Sequence, residues 1–389
     1  MVELPKNFKV VLTALGLVPS GGGVPQSIRN FQRALGAQVV SFTNAASLAA
    51  EGSAVPGAVH VPVSDLPVAK YFYWAGSAAR RGADRLAASA DLLSCHMLYR
   101  YHAHWVGAWA ARRHRPYWVV PHGSLDPYTY SYRAGFKETW MALYGRRFLT
   151  RASAVIFSTE QERRKAAAHY DGPNTRVIRW PINAPSLHGA AEARAQLRQK
   201  LGVGDEARLL LYLGRLHNKK RPLETVAAFA AARVSNAHLA IVGADENVTA
   251  SQLRAEGERL GLRGRLHVPG PVYGPEKETW LHACDGFVSL SQQENFGYSA
   301  AEALSAGKPV ILSPGNDLGG DLAPLNCGWI LADDRPETAS VAIAEWAGEP
   351  MEQLRERGER GRAFTQGELT FEKFAESLRE LASATLAGN

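Results

Sequence analysis

Residues 286–312 of the sequence read GFVSLSQQENFGYSAAEALSAGKPVIL, and this stretch indicates the fold. The β-rich apolar run at 286–290 predicts a buried strand, and the residues from about 297 to 306 predict a helix. A second apolar run at 309–312 predicts the next strand. Because a helix connects the two strands, we expect them to lie parallel in one sheet.

The same alternation extends outward along the chain. Apolar runs that predict strands recur with amphipathic stretches between them, at residues 8–15, 38–42, 92–95, 117–120, 154–157, 208–213, 238–242 and 266–268. A Pro-containing stretch near 180–190 interrupts the pattern, and a polar helix near 191–200 follows it. The sequence therefore predicts two Rossmann-like, doubly wound α/β domains, at residues 1–185 and 186–365, followed by a helix at 366–389.

Length and composition agree with two domains. The chain has 389 residues, 46% of them hydrophobic, and 44 Lys and Arg against 37 Asp and Glu give a net charge of +7. This composition excludes a disordered or fibrous protein. Because one hydrophobic core usually stops growing at about 250 to 300 residues, we expect two cores.

Several classes of protein are disfavoured. The positive charge is spread along the chain without a nucleic-acid-binding signature, so attraction to small polyanions or to an anionic membrane surface fits better. The uncharged stretch between Lys9 and Arg29 contains four Gly and two Pro, which argues against a membrane span. The cysteines, Cys95, Cys284 and Cys327, are odd in number and widely spaced, as expected of a reduced, cytoplasmic protein.

Four loops after predicted strands could bind a ligand, because parallel sheets bind ligands at the carboxyl ends of their strands. Residues 20–25 read SGGGVP before a helix predicted to begin near Gln26, so Gly22 and Gly23 could approach a phosphate, or could form a plain tight turn. Residues 214–221 read GRLHNKKR, which suits a diphosphate but also fits a solvated charge run.

The other two loops contain carboxylates and a histidine. Glu294 precedes the helix near Gly297, and Glu302 lies one turn into it, where a carboxylate could hold a ribose diol. The alternative is a capping acid and a surface acid. His122 follows the strand at 117–120 and could bind substrate or be structural, and the same holds for His96, His102 and His104. No spacing supports a metal site.

Taken together, residues 21–23 (GGG), 121–123 (PHG), 214–216 (GRL) with Lys220, and the Glu294-x7-Glu302 pair resemble the retaining glycosyltransferases of family four. The resemblance covers nearly the whole chain. It implies the GT-B fold, in which two Rossmann-like domains face a cleft and the last helix crosses back to the N-terminal domain.

The resemblance also implies roles for particular residues. Arg215 and Lys220 would hold the donor diphosphate, Glu302 would hold the ribose, and Val272 would lie near the base. Catalysis would involve His122 and Glu294. Apart from the resemblance, we also expect the acceptor to contact His96 and Asp126. The remaining donor contacts would come from Gly22, Gly23, Phe296, Gly297, Tyr298 and Ser299. Two positions depart from the family pattern, since Arg221 replaces a common glycine and residues 181–183 read PIN instead of PNG.

The activity implied is metal-independent transfer of a hexose, with retention, from a UDP-sugar, or next from GDP-mannose, to a saccharide or lipid-linked saccharide. Such a reaction suits bacterial polysaccharide or glycoconjugate synthesis and needs no cofactor. The alternatives are an inactive nucleotide-sugar-binding homologue, a nucleoside-sugar epimerase and, from charge alone, a nucleic-acid binder.

One further pattern concerns the membrane. Phe136, Trp140, Tyr144 and Phe148 recur every four residues in a predicted helix at 133–151 that is rich in Arg and Lys. The stripe predicts either packed core or a face that approaches the inner side of the membrane.

Overall fold

A computed structural model describes residues 4–5, 7–17, 22–44, 55–186 and 188–388. The chain divides into two compact units. Unit 1 comprises Met1–Pro181 and Phe371–Asn389, and unit 2 comprises Ile182–Thr370. The boundary predicted at 365/366 falls inside the helix Met351–Glu368.

Within its described residues, unit 1 contains a seven-stranded sheet of order β3-β2-β1-β4-β5-β6-β7. Every neighbouring pair is parallel. This order reverses direction between β1 and β4, the switch point at which doubly wound sheets bind ligands. The strands are β1 (Val10–Leu15), β2 (Gln38–Thr43), β3 (Val59–Pro62), β4 (Leu92–His96), β5 (Tyr117–Val120), β6 (Ala154–Phe157) and β7 (Thr175–Val177).

The helices of unit 1 connect these strands in chain order. The helix α1 begins at Gly23, three residues before the predicted start, because Gly22 takes the N-cap position with φ +73°. A π-helical turn, Met141–Gly145, joins α6 to α7. The helices are α1 (Gly23–Leu35), α2 (Pro67–Tyr71), α3 (Arg81–Ser89), α4 (Tyr101–Arg113), α5 (Pro127–Ser131), α6 (Ala134–Trp140), α7 (Arg146–Arg151) and α8 (Glu160–Ala166).

Unit 2 has a six-stranded sheet in its described residues, of order β10-β9-β8-β11-β12-β13. It is parallel throughout and repeats the topology of unit 1, with its switch point between β8 and β11. The strands are β8 (Arg208–Leu213), β9 (Ala237–Val242), β10 (Leu266–Gly270), β11 (Gly286–Ser289), β12 (Val310–Leu312) and β13 (Gly328–Ile330).

The helices of unit 2 cover the sheet, and β8, β9 and β11 are almost entirely buried as the apolar runs predict. A 3₁₀ turn, Asn218–Lys220, follows β8. The helices are α9 (Ala190–Leu201), α10 (Pro222–Ala231), α11 (Ala250–Arg259), α12 (Pro275–Ala283), α13 (Tyr298–Ser305), α14 (Gly319–Leu322), α15 (Pro336–Gly348) and α16 (Met351–Glu368).

The last helix, α17 (Phe371–Ala387), returns to unit 1. Its Phe374 ring lies 5.2 Å from the ring of Phe31 in α1. The Trp118 indole N–H of β5 donates to the Thr385 hydroxyl at 3.1 Å. The apolar face of this helix therefore packs on the first unit.

The aromatic stripe at 136–148 is packed core instead of an exposed face. Trp140 and Phe148 are buried, and Phe136 and Tyr144 pack against the same core. The Tyr144 hydroxyl donates to the Ala103 carbonyl of α4 at 3.0 Å. The stripe is thus turned toward α4, and the packed-core alternative is correct. No helix in the described ranges is long and apolar enough to span a bilayer.

Candidate active site

The loop after β8 places two cations at the switch point of unit 2. Arg215 follows the strand directly, and its guanidinium contacts both carboxylate oxygens of Glu246, at 2.8 and 2.9 Å. Lys220 ends the 3₁₀ turn and lies back against Gly214, where an added Cβ would be 3.4 Å from its Cδ. A single turn after β8 therefore separates Arg215 from Lys220 and places both cations at the carboxyl end of the sheet.

Lys220 and Glu294 form an ion pair across the switch point. The Lys220 ammonium donates to Oε2 of Glu294, which lies in the loop after β11. Burial raises the pKa of Glu294, but the charges of Lys220, Lys219 and Arg215 outweigh it, so the net pKa lies below the usual value. The carboxylate is therefore ionised at neutral pH, and the sequence motifs at 215–220 and 294 meet in space.

The backbone conformation of Arg221 explains why glycine is common at this position in the family pattern. Its φ is +56°, in the left-handed region that favours glycine. Its guanidinium contacts Asp334 at 2.7 Å and Glu224 at 3.4 Å. These ion pairs hold the backbone of Arg221 in a conformation that glycine adopts without strain. The loop can therefore follow the same backbone path with arginine as with glycine.

Helix α13 begins in the third loop. Its N-cap Gly297 has φ +77° and ψ +57°, and Tyr298 and Ser299 form the first turn of the helix. The first backbone N–H groups of a helix have no partner within it and carry partial positive charge, which suits an anion. Phe296 is 2% exposed, so only its backbone can serve a ligand.

Glu302 lies one turn further along α13 and is paired. Lys277 of α12 donates to its Oε1 at 2.7 Å. Burial raises the pKa of Glu302, and Lys277 opposes that rise. Sequence reasoning did not find Lys277, because the pair joins two helices 25 residues apart. Val272, expected near the base, lies after β10 with a buried side chain, so it too offers its backbone.

In unit 1, a line of polar groups leads to His122. The His96 and His122 rings are hydrogen-bonded through Nδ1 and Nε2 at 2.9 Å, and His96 Nε2 lies 3.2 Å from the Ser94 hydroxyl. His96 is fully buried, with both ring nitrogens engaged within the protein. The structure describes His96 without an open ring nitrogen, and its expected contact with an acceptor stays a prediction. Its side chain supports His122.

Both histidines are neutral at neutral pH. Burial lowers the pKa of His122 to about 3. Burial, together with repulsion from His122 and His102, lowers the pKa of His96 well below its usual value. Two neutral imidazoles share one hydrogen bond, which a ring N–H of one donates to a ring nitrogen of the other. The second ring nitrogen of His122, the outer one that does not contact His96, is therefore left for a ligand.

Glu162 fixes the turn that presents His122, and the sequence did not point to it. Its Oε1 accepts from the Gly123 N–H at 2.9 Å, and its Oε2 accepts from the Ser158 N–H and hydroxyl at 2.8 and 2.7 Å. His122 and Gly123 both have positive φ, +50° and +73°. The only available signal was the Thr159-x-x-Glu162 pattern, which indicates a helix start.

Asp126 is the N-cap of α5 and does not face an open surface. It is 4% exposed, and its Oδ1 accepts from the Tyr128 N–H at 2.8 Å. Lys165 lies 3.8 Å from its Oδ2. Asp126 therefore has a capping role, which a carboxylate before Pro127 favours, and its expected acceptor contact stays a prediction.

The glycine loop is described in part. Gly22 and Gly23 begin α1, and nothing lies within 4 Å of a Cβ added at Gly22. The φ of Gly22, not crowding, therefore requires glycine there. The part of this prediction that concerns Ser20 and Gly21 lies outside the described residues. Within the described ranges, no three His, Cys, Asp or Glu side chains cluster as metal ligands would.

Each unit is a doubly wound parallel sheet with polar side chains at the carboxyl ends of its strands, and the protein is an α/β protein of the GT-B type. Comparison with solved structures agrees. Anabaena HepE in complex with UDP and glucose matches with a TM-score of 0.76 and 18% identity, over 97% of this chain and 100% of that chain. This likeness shows the fold.

Two family models place the chain more narrowly. The model "Glycosyl transferase 4-like domain" matches residues 22–183, and "Glycosyl transferases group 1" matches residues 193–364. The chain therefore belongs to the group 1 glycosyltransferases, as the motifs indicated.

Two curated relatives are similar over different lengths. The D-inositol 3-phosphate glycosyltransferase of Xylanimonas cellulosilytica is 28% identical over 323 residues, which is 75% of each chain. The GDP-mannose:cellobiosyl-diphosphopolyprenol alpha-mannosyltransferase of Xanthomonas oryzae pv. oryzae is 29% identical over 203 residues, 51% of this chain and 50% of that protein.

Proposed function

We propose that this glycosyltransferase moves a hexose from a nucleoside-diphosphate sugar, with UDP-sugars favoured and GDP-mannose next, to a saccharide or lipid-linked saccharide. The observation that carries the donor assignment is the cluster of Arg215, Lys220 and the α13 N-terminus at the switch point of unit 2. Cations and free backbone N–H groups at one sheet edge suit a diphosphate.

The carboxylates complete a donor site. Glu302 would accept hydrogen bonds from the ribose hydroxyls once its Lys277 contact is shared, and Glu294 would contact the sugar or the phosphates beside Lys220. GDP-mannose in the name of the Xanthomonas relative and UDP in the HepE structure support this class of donor.

We propose transfer with retention, by attack on the face from which the diphosphate departs. The bond between C1 and the phosphate oxygen breaks, and the bond between C1 and the acceptor oxygen forms. The departing phosphate oxygen takes the acceptor proton. Arg215, Lys220 and the helix N–H groups would stabilise the charge that develops on this oxygen.

His122 would act on the sugar side of the reaction. Because its ring is neutral and its inner nitrogen contacts His96, the outer nitrogen can hydrogen-bond a sugar hydroxyl. Its backbone carbonyl would stabilise positive charge on the sugar. No essential metal is proposed, so activity is expected to survive EDTA.

A panel of UDP- and GDP-sugars tests the donor assignment. Slow release of the nucleoside diphosphate, and a rise of the melting temperature with UDP or GDP, are expected. At a ligand concentration about 100 times Kd the stabilisation is about 2.7 kcal/mol. If neither nucleotide shifts the melting temperature, the donor assignment fails.

Lys220→Ala is compared with Lys200→Ala, a lysine exposed in the last turn of α9. If Lys220→Ala loses the slow release of the nucleoside diphosphate and Lys200→Ala keeps it, the result supports the proposed donor site. Loss of activity on EDTA treatment, with rescue by Mn²⁺, would contradict the metal-free mechanism.

A further inference from the structure

A cationic pocket of about 250 Å³ lies beside the loop that carries His122. Three of its lining side chains are positively charged: Arg100, Arg133 and Lys137. Ser124, two residues after His122, also lines it, and the Tyr99 hydroxyl donates to the Ser124 carbonyl at 3.0 Å. The lining contains no Asp or Glu in the described part of the chain.

The charges of this cationic pocket are not neutralised by carboxylates of the described residues. Arg100 and Arg133 both lie over the ring of Tyr71, at 4.7 and 4.9 Å from its centre. Lys137 is buried, and its ammonium donates to the Thr129 carbonyl. Three like charges held together without a counterion by aromatic and backbone contacts attract an anion such as a phosphate.

An apolar pocket of about 480 Å³ adjoins it, and Tyr99 and Arg100 line both. This volume is in the range of pockets that hold small molecules. Leu66 and Val68 line it and are 70% and 72% exposed, and Phe72 and Trp74 are 39% and 45% exposed. Four large apolar side chains exposed within nine residues form a patch of the kind that marks a binding surface.

We propose that the two pockets bind one amphiphile, a lipid phosphate or diphosphate, with its anionic group in the cationic pocket and its hydrocarbon chain in the apolar pocket. The charge of the first pocket and the apolar lining of the second match the two ends of such a molecule. The anion would lie near Ser124, so a sugar attached to it would be close to His122. This inference rests on the proposed function and assigns its acceptor to the lipid-linked class.

Calorimetric titration with farnesyl diphosphate tests the inference, with saturating UDP present to occupy the donor cluster of unit 2. Inorganic diphosphate and farnesol are the matched probes, because each carries one end of the amphiphile. Farnesyl diphosphate is expected to bind at least about tenfold more tightly than either probe, which corresponds to about 1.4 kcal/mol. Equal binding of inorganic diphosphate or of farnesol would overturn the two-part site.

Variants at exposed positions locate the binding. Arg133→Gln removes one charge and Val68→Asp makes the apolar pocket polar, and each is expected to weaken farnesyl diphosphate binding about tenfold. Arg112→Gln, on the exposed end of α4 outside both pockets, is the control and should bind like wild type. Unchanged melting temperatures would show that the variants fold.

Lys220→Ala separates this inference from the proposed donor site. Binding that disappears in Lys220→Ala but persists in Arg133→Gln would place the diphosphate in unit 2 and overturn the inference. Unchanged UDP binding by Arg133→Gln, together with weakened farnesyl diphosphate binding, would support the lipid site independently of the donor assignment.

Discussion

The turn that presents His122 depends on Glu162, and replacing this residue gives a sharp test. Glu162→Ala removes the acceptor of the Gly123 N–H and of the Ser158 N–H, both held within 2.9 Å. The carboxylate is 3% exposed, so water cannot readily replace it. We expect both a loss of stability and a loss of transfer.

The magnitude follows from the hydrogen bonds. Each buried donor left without an acceptor costs about 1 to 3 kcal/mol, so the two backbone N–H groups cost about 2 to 6 kcal/mol. Glu162→Gln keeps one acceptor oxygen and should cost about half as much. For a unit of about 200 residues, each kcal/mol lowers the melting temperature by about 2 to 4 °C, so Glu162→Ala should melt at least about 4 °C lower.

Differential scanning calorimetry and a UDP titration complete the test. Glu160→Gln is the matched control on the same helix, because its partly exposed contact with Arg163 is worth about 0 to 1 kcal/mol. UDP binding should be unchanged, since the described hydrogen bonds of Glu162 do not reach the cluster of Arg215, Lys220 and the α13 N-terminus in unit 2, while transfer by the folded Glu162→Gln variant should fall. A Glu162→Ala melting temperature within 1 °C of wild type would refute the reasoning.

Three further predictions concern the charged and titratable groups. Arg215→Ala and Lys220→Ala should each weaken UDP binding about tenfold or more in titrations, because each loses a charge-assisted hydrogen bond. Wild type should bind UDP about tenfold more tightly than 2′-deoxy-UDP, and Glu302→Gln should remove this preference; a preference that persists would exclude Glu302 as the ribose ligand. Because the pKa of His122 falls to about 3 on folding, stability should decrease as pH drops below about 6.5, by up to about 1.4 kcal/mol per pH unit. Urea unfolding of His122→Gln should show a shallower decrease between pH 7 and 5, and an identical slope would count against the neutral ring.

Much of the fold could be predicted because its central strands are apolar and buried. The runs that form β1, β8 and β9 are mostly apolar, with one polar or charged residue in each: Thr13, Arg208 and His238. The sequence did not reveal β3, β7 and β13, which have three or four residues and are only partly buried. Such short edge strands lack the apolar run on which the prediction depends.

Site residues could be predicted where they lie in a loop directly after a predicted strand. They could not be predicted where the contact joins elements that are far apart in the sequence. Arg215, Lys220 and Glu294 follow strands whose ends the sequence locates. The burial of His96 and Asp126 could not be predicted, because both carry ligand-type side chains that the fold turns inward. Lys277 contacts Glu302, 25 residues away in the sequence, and Glu162 contacts Gly123, 39 residues away. The spacing of residues along the chain does not predict such contacts.

The return of α17 to unit 1 has a consequence for synthesis of the chain. Unit 2 lies wholly within Ile182–Thr370, and the Ile182 N–H donates to the Leu369 carbonyl at 3.0 Å, so its two ends are paired. All of unit 2 has therefore emerged from the ribosome while unit 1 still lacks Phe374 and Thr385. The unit made first is the last to be completed, and until then the surface of α1 around Phe31 stays open to chaperones and proteases.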